Sequence, residues 1–206
     1  MKVETVSGDV EGIAVGDAVA WRGIPYAAPP VGDLRYRPPQ PASRWSGVRR
    51  ADRYSAQAIQ QPTLSTTSEW DDITKLWAGT HQFSFDSSED CLYVNVCSPS
   101  TSGRRPVLVW LHGGGLTILN GPVAIGDGAG FVKHDIVVVS FNYRMGALGF
   151  LDLSSFLGED FESSGNLGFL DQIAALRWVK ENIAAFGGDP DQVTIAGHSA
   201  GARCVP

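Results

Sequence analysis

Short apolar segments separated by turn residues occupy the first part of the chain and predict a β-rich, irregular beginning. The dipeptides Gly8-Asp9 and Gly16-Asp17 are typical of hairpin turns. Prolines then crowd residues 22–45, which must be extended or turning because proline fixes φ and restricts the residue before it. The extended segments around the predicted turns are Val3–Val6, Val10–Val15 and Ala18–Trp21.

After a polar, poorly periodic stretch at residues 55–88, the pattern changes to strands that alternate with helices. The polar stretch is interpreted as a surface excursion with one short helix near Trp70–Ala78. Two later runs are continuously apolar, as expected of strands that are covered on both faces, and a crossover helix is predicted between them within Gly126–Lys133. The predicted strands are Leu92–Val96, the two apolar runs Val107–Leu111 and Ile136–Ser140, and Val193–Ala196.

The longest predicted helix is Gly168–Phe186. An apolar stripe at helical spacing and a second apolar flank beside it predict that this helix is largely buried. Gly187-Gly188 followed by Pro190 is a typical stop signal after a helix. The order of strand, helix, strand, helix and strand indicates a parallel α/β sheet. The stripe consists of Phe169, Ile173, Leu176, Val179 and Ile183, and the flank of Leu170, Ala174 and Trp178.

Composition narrows the class of protein. The chain has 206 residues, of which 43% are apolar and 18% are charged, as expected of one globular domain with a sizeable core. The net charge of −6 gives no reason to expect nucleic acid or a membrane surface as a partner. No apolar signal segment is visible at the start, and no apolar run is long enough to span a bilayer. The three cysteines lack metal-ligand spacing, and a reducing cytoplasm is the expected location.

The segment GHSAG at residues 197–201 has the form G-x-S-x-G and directly follows a predicted strand. This is the pattern of the nucleophile elbow, a sharp strand-to-helix turn that lifts a serine hydroxyl above a parallel sheet. Glycines flank the serine because side chains at those positions would collide with neighbouring backbone. The alternative is an ordinary serine in a glycine-rich turn. The strand before the motif favours Ser199 as a nucleophile.

The segment HGGG at residues 112–115 also follows a predicted strand directly. A serine ester hydrolase needs backbone N–H donors aimed at the developing oxyanion, and glycines let the backbone approach closely. Loops of this type supply such donors in lipases and esterases, and the residue after the nucleophile adds another. A flexible turn and a phosphate cradle are the alternatives, but no Gly-Lys-Ser/Thr follows, as a phosphate loop requires. Its occurrence together with the elbow favours an oxyanion role.

No histidine follows Ser199 in this chain, although in this architecture the triad runs in the order serine, acid, histidine. His112 is therefore predicted to orient the glycine loop through a hydrogen bond rather than to act as the base. His198 adjoins the nucleophile along a different bond direction and is not expected to reach its hydroxyl. His81 and His134 are interpreted as surface or packing residues.

Further motifs are spread over nearly the whole chain. They are Arg22–Ala27, Pro29–Gly32, Leu34–Tyr36, Glu89–Val96, Phe141–Arg144, Gly165–Gly168, Asp171-Gln172, Asn182-Ile183 and Phe186–Pro190. Together with the glycine loop and the elbow, they resemble the type-B carboxylesterases, the family that includes para-nitrobenzyl esterases and cholinesterases. So many spaced matches are more specific than any single motif. Within them, Arg35 and Glu89 match a structural ion pair of that family.

The resemblance implies an α/β-hydrolase fold that hydrolyses carboxylic esters through an acyl-enzyme. It further implies a small-molecule ester as substrate and neither a metal nor an organic cofactor. Ser199 would be the nucleophile. The N–H groups of the oxyanion hole would come from Gly114, Gly115 and Ala200.

The sequence departs from the family at three positions. His198 stands where the family usually has glutamate, which changes the charge beside the nucleophile. Leu116 replaces the aromatic residue that commonly follows the triple glycine, so the acyl pocket is expected to differ. Ile59 occupies the place of the cysteine with which secreted members pair the cysteine at Cys91, and Cys91 is therefore expected to be free.

Length is the largest departure, since family members are more than twice as long and carry their acid and histidine in the half absent here. The chain is therefore predicted to be the N-terminal portion, 1–206, of a single α/β-hydrolase domain, truncated after the elbow and with a β-rich N-terminal region. Without a base for Ser199, we expect little or no turnover by this chain alone. Exposed apolar sheet surface would favour association. The alternative is a non-catalytic, cholinesterase-like interaction module, against which the retained serine and glycine loop weigh.

Overall fold

The strands and helices lie in residues 1–60, 86–122 and 128–205, which the computed structural model describes. The strands are β1 (Lys2–Thr5), β2 (Gly8–Glu11), β3 (Ile13–Val15), β4 (Ala18–Pro25), β5 (Val48–Arg50), β6 (Gln57–Ala58), β7 (Ser87–Ser88), β8 (Tyr93–Ser98), β9 (Arg105–Leu111), β10 (Val137–Phe141) and β11 (Gly188–Gly197). The helices are α1 (Ala129–Val132), α2 (Gly146–Phe150), α3 (Ser154–Leu157), α4 (Leu167–Asn182) and α5 (Ala200–Arg203). Short 3-10 helices lie at Gly32–Leu34, Glu159–Phe161, Ser164–Asn166 and Ile183–Phe186.

The central sheet has six strands in the order β11-β9-β10-β8-β4-β3. Strand β9 pairs in parallel with both β10 and β11, and Val109 lies opposite Val139 on one side and Ile195 on the other. Strands β8, β4 and β3 complete the sheet in antiparallel pairs. The predicted parallel α/β sheet is confirmed for its second half. Strands β3 and β4 from the β-rich beginning of the chain extend this sheet and, together with the antiparallel β8, make it mixed, whereas β1 and β2 form a separate three-stranded sheet with β5.

The four strands predicted after residue 90 are confirmed as β8, β9, β10 and β11, but only one apolar run is covered on both faces. Every residue of β10 is buried. In β9, burial alternates: Val107, Val109 and Leu111 are buried, whereas Leu108 and Trp110 are half-buried. The expectation of full cover is therefore wrong for β9, because the second face of the sheet is less covered at this side in the described structure.

The long helix α4 starts and stops near the predicted ends, and the predicted stripe is buried towards the end of the helix but not at its start. Gly187, with φ of 80°, ends the 3-10 turn that follows the helix, as the stop signal predicts. Phe169 and Ile173 of the predicted stripe are 38% and 44% exposed, so the stripe is wrong at those positions. The buried face instead contains Asp171 and Ala175. Asp171 faces inward because it is ion-paired with a buried arginine on the segment after β10.

The first hairpin differs from its prediction by two residues. Its turn lies at Val6-Ser7, and Thr5 pairs with Gly8, so Gly8-Asp9 belongs to β2. Gly8 is required for close packing, since a Cβ atom there would lie 2.7 Å from the Trp45 Nε1 atom. The turn predicted at Gly16-Asp17 is confirmed, because Val15 and Ala18 pair across it.

Part of the predicted polar excursion lies outside the described residues, including the helix expected near Trp70–Ala78 and His81. On either side of that gap, β6 and β7 pair in parallel as a separate two-stranded sheet. Within the described ranges, the longest helix has 16 residues, and no helix is both long and apolar enough to cross a membrane.

Candidate active site

The predicted elbow forms a strained turn at the carboxyl end of β11. Ser199 has φ of 52° and ψ of −119°, lies on the surface, and directly precedes α5. A residue other than glycine in such a conformation costs about 1–3 kcal/mol and persists only where the surrounding structure enforces it. The strand, sharp turn and helix that the motif requires are all present.

The flanking glycines are required by close backbone contacts. A Cβ atom at Gly201 would lie 2.2 Å from the Leu111 carbonyl oxygen and 2.6 Å from that of His112. A Cβ atom at Gly197 would lie 2.6 Å from the carbonyl carbon of Gly201. The elbow is therefore packed directly against the end of β9, and glycine is the only residue that fits at either position.

The glycine loop lies beside the elbow because β9 and β11 are adjacent and parallel, so that their carboxyl ends meet at one edge of the sheet. A Cβ atom at Gly113 would lie 2.7 Å from the carbonyl oxygen of His198 and 3.1 Å from the Ser199 Cβ atom. The structure thus brings together the two motifs that the sequence singled out.

Three backbone amides near Ser199 remain available as donors. Within the described ranges, no hydrogen-bond acceptor is found for the N–H groups of Gly114 and Gly115. Ala200 is the first residue of α5, and N–H groups in the first turn of a helix have no partner within it. The loop keeps an unusual shape, with φ of 99° at Gly114, 63° at Gly115 and 63° at Leu116. Such a conformation is easy for glycine and strained for leucine.

The predicted hydrogen bond between His112 and the glycine loop is present. Its side chain is fully buried, and its Nδ1 atom lies 2.9 Å from the carbonyl oxygen of Gly113. Burial lowers the pKa of His112 to about 4, so the ring is neutral at ordinary pH. His134 is exposed just before the amino end of β10, whereas Ser199 follows the carboxyl end of the parallel strand β11, so the two residues lie at opposite ends of the strands. Neither imidazole is placed to accept the proton of Ser199.

The residues after β10 carry contacts that the sequence analysis did not assign. The Tyr143 hydroxyl donates to the carbonyl oxygen of His112 at 3.0 Å, and Asn142 Oδ1 accepts the Gly121 amide at 2.9 Å. The buried guanidinium of Arg144 binds both carboxylate oxygens of Asp171, at 2.8 and 2.7 Å. The signal in the sequence was a run of polar residues directly after a predicted strand, which indicates side chains held in place by specific partners.

Two scaffold expectations are confirmed. Arg35 and Glu89 form a two-bond ion pair, with Nε–Oε2 and Nη2–Oε1 distances of 2.6 and 2.8 Å. None of the three cysteines, all of which lie in the described ranges, forms a disulfide. Cys91 is buried, and the half-buried Cys204 donates to the Ala200 carbonyl oxygen at 3.2 Å.

A strained serine turn at the end of a parallel strand, facing a glycine loop from the neighbouring strand, defines the α/β-hydrolase class. A solved carboxylesterase of Geobacillus stearothermophilus has the same fold, with a TM-score of 0.86 and 45% identity over 98% of this chain and 38% of that one. The chain belongs to the carboxylesterase family, whose sequence profile matches residues 1–206.

Curated relatives agree with this assignment. The chain is 45% identical over 204 residues to the fumonisin B1 esterase of Sphingopyxis macrogoltabida, covering 98% of this chain and 35% of that protein. It is 44% identical over 205 residues to the para-nitrobenzyl esterase of Bacillus subtilis, covering 98% of this chain and 39% of that protein. The chain therefore spans little more than a third of the length of these relatives.

Proposed function

We propose that this chain carries the nucleophile and oxyanion hole of a carboxylic ester hydrolase. Ser199 Oγ would attack the carbonyl carbon of a small-molecule ester, releasing the alcohol and leaving an acyl-enzyme that water hydrolyses. The N–H groups of Gly114, Gly115 and Ala200 would stabilise the developing oxyanion. The strained backbone of Ser199 beside the glycine loop is the observation that carries this proposal.

We infer that Ser199 has no general base among the described residues. In α/β-hydrolases the acid and the histidine follow the serine along the chain, whereas here His112 is turned to Gly113 and His134 lies at the opposite end of the strands. The 206-residue chain by itself should therefore turn over ester poorly. A fluorophosphonate should still react slowly at Ser199, because its fluoride leaving group needs no proton and labelling needs only one turnover. We treat the chain as one portion of a single α/β-hydrolase domain, working in a reducing compartment.

Covalent labelling and turnover by the purified chain test these statements separately. A fluorophosphonate should label one site, identified as Ser199 by peptide mass spectrometry, and Ser199→Ala should abolish the label. Ser102→Ala, which removes an exposed serine from a distant loop, is the matched control and should leave labelling unchanged. Absence of label on the intact chain would contradict the role of Ser199. Rapid p-nitrophenyl butyrate turnover that Ser199→Ala abolishes would contradict the missing base.

A non-catalytic interaction module is less well supported. Binding of a partner does not require a serine in a strained turn beside amide donors that lack an acceptor. The close backbone contacts of the surrounding glycines support that strained arrangement, which favours a catalytic role.

A further inference from the structure

Three successive carbonyl groups of the glycine loop, those of residues 112–114, each accept a hydrogen bond. The His112 carbonyl accepts the Tyr143 hydroxyl at 3.0 Å, and the Gly113 carbonyl accepts from the His112 ring at 2.9 Å. The Gly114 carbonyl accepts the amides of Thr117 and Ile118 at 3.0 and 3.1 Å. No carbonyl of this run is left free to rotate toward the serine.

A fixed carbonyl also fixes the next N–H group, because the two point in opposite directions across a planar trans peptide. Holding the Gly113 carbonyl with the His112 ring therefore turns the Gly114 N–H away from that ring. The Gly114 carbonyl, held by the turn that follows, sets the Gly115 N–H in the same way. These are two of the three N–H groups that the proposed oxyanion hole uses.

We propose that His112 and Tyr143 are positioning residues: His112 sets the direction of the Gly114 N–H in the oxyanion hole, and Tyr143 holds His112 in the place where it does so. This inference rests on the proposed function. His112 holds the Gly113 carbonyl directly. Tyr143 holds His112 twice, through the hydrogen bond to its carbonyl and through ring stacking at a centroid distance of 4.4 Å and an interplanar angle of 18°. Neither side chain touches the reacting atoms in this scheme.

The protonation states of both side chains follow from the same contacts. A carbonyl oxygen only accepts, so Nδ1 of His112 carries the proton and Nε2 of the neutral ring does not. Burial, which lowers the pKa of His112 to about 4, keeps the ring neutral. Burial raises the pKa of Tyr143, which therefore remains a hydrogen-bond donor. The pair is thus a fixed donor arrangement rather than a titrating one.

Two measurements on the 206-residue chain test this role. Nitrogen NMR of the chain labelled with 15N-histidine reports which ring nitrogen of His112 is protonated, with His112→Asn identifying the signals. The kinetics of fluorophosphonate labelling report the oxyanion hole, since the phosphonyl oxygen takes the place of the oxyanion. If these side chains position the amides, removing one of them should lower the maximal labelling rate constant and leave the half-saturating reagent concentration unchanged.

The variants separate hydrogen bonding from packing. Tyr143→Phe keeps the stacked ring and removes the donor, and it should lower the maximal rate constant about tenfold or more, approaching the loss of one oxyanion donor. His112→Leu should do the same. His112→Asn keeps an N–H donor at the Nδ1 position and should stay within about threefold of the original chain. Urea unfolding of each variant shows whether it is folded, and if His112→Leu is not, Tyr143→Phe decides.

Different results would overturn the positioning role of His112 and Tyr143 and the role of Ser199 as nucleophile. Equal labelling rate constants for the original chain and Tyr143→Phe would overturn the positioning role, as would a proton on Nε2 of His112. If the original chain is not labelled at all, the nucleophile proposal fails, and the imidazole spectrum alone decides the positioning role. A proton on Nδ1 then supports it, and a proton on Nε2 overturns it.

Discussion

Backbone strain in this protein is concentrated in a few residues around one edge of the sheet. Five residues other than glycine have positive φ in the described ranges, and three of them lie in the elbow or shortly after the glycine loop: Leu116, Leu119 and Ser199. Each such conformation is unfavourable by itself. It survives here because neighbouring glycines let the backbones pack together, and because Gly146 donates to the Leu116 carbonyl at 2.7 Å. Strain gathered in this way is typical of functional sites.

The contact between the elbow and β9 gives a prediction about stability. Gly201→Ala should lower the free energy of unfolding by about 2 kcal/mol or more, because the new Cβ atom meets backbone oxygens that cannot rotate away. Urea titration measures the change. Gly130→Ala in α1 is the matched control, since nothing lies within 4 Å of its Cβ position. It should raise the free energy by up to about 1 kcal/mol. Similar destabilisation by both variants would show that the contact is unimportant.

A single carboxylate at the other end of β11 gives a prediction about acid stability. Hydrogen bonds from Arg104, and then from the Asp191 amide, lower the pKa of Asp189 to about 2. Since this pKa lies below the unfolded value near about 4, the ionised group stabilises the fold above that pH, and the contribution is lost as the pH falls toward about 2.

Asp189→Asn should therefore flatten the pH dependence of the free energy of unfolding between about pH 4 and pH 2. Urea titrations at several pH values in this range measure the slope. Asp17→Asn, exposed in the turn between β3 and β4, is the control and should keep the original slope. An unchanged slope in Asp189→Asn would show that the carboxylate is not stabilised by these partners.

At the scale of elements, buried polar pairs decide how the helix and the loops sit on the sheet. Arg144, after β10, binds Asp171 of α4 and also donates to the Arg37 carbonyl oxygen at 2.8 Å. This links the sheet, the helix and the proline-rich segment in one place. Leaving either charge buried without its partner would be strongly unfavourable, which is why α4 turns Asp171 inward and Phe169 outward.

The connection between β6 and β8 gives a prediction at this scale. Ile59 and Cys91 line the same small cavity, at the two ends of a segment that no disulfide crosses in the described part of the chain. Ile59→Cys should therefore form a disulfide with Cys91 under oxidising conditions. Closing a loop of about 30 residues should add about 3–4 kcal/mol to the free energy of unfolding.

Thiol counting and peptide mass spectrometry would detect the bond between residues 59 and 91, and urea titration with and without reductant would give its effect. The double variant Ile59→Cys, Cys91→Ser is the control and should show no dependence on reductant. If Ile59→Cys keeps all its thiols after oxidation, the two side chains do not face each other across the cavity.

For the molecule as a whole, the outermost strands of the central sheet decide how the chain can associate. Within the described ranges, the sheet ends at β11 on one side and at β3 on the other. Strand β11 has ten residues and exposes or half-exposes its last eight, although it joins the core at Val193 and Ile195. A long, partly apolar edge strand is a template for pairing with another chain.

The 206-residue chain prepared alone should therefore self-associate as its concentration rises, which light scattering or sedimentation would measure. Thr194→Lys places a charge at an exposed position of β11 and should shift association to higher protein concentration. Ala14→Lys, at an exposed position of β3, should have little effect. If both lysines act equally, or if neither does, β11 is not the associating edge.

The sequence by itself determined the features that depend on neighbouring residues. Continuous apolar runs located β9 and β10, although burial on both faces holds only for β10. The GHSAG and HGGG segments at 197–201 and 112–115 predicted an elbow and a glycine loop, because only glycine permits those backbone contacts. Parallel strand order then placed both motifs at one edge of the sheet.

Only the tertiary structure decided the features that depend on residues far apart in the chain. The buried face of α4 was set by Arg144 and Asp171, 27 positions apart, and the His112 carbonyl is held by the hydroxyl of Tyr143, 31 positions away. Apolar periodicity could not predict either, because it ranks positions by hydrophobicity, whereas a buried polar group is placed by the partner that satisfies its hydrogen bonds or charge.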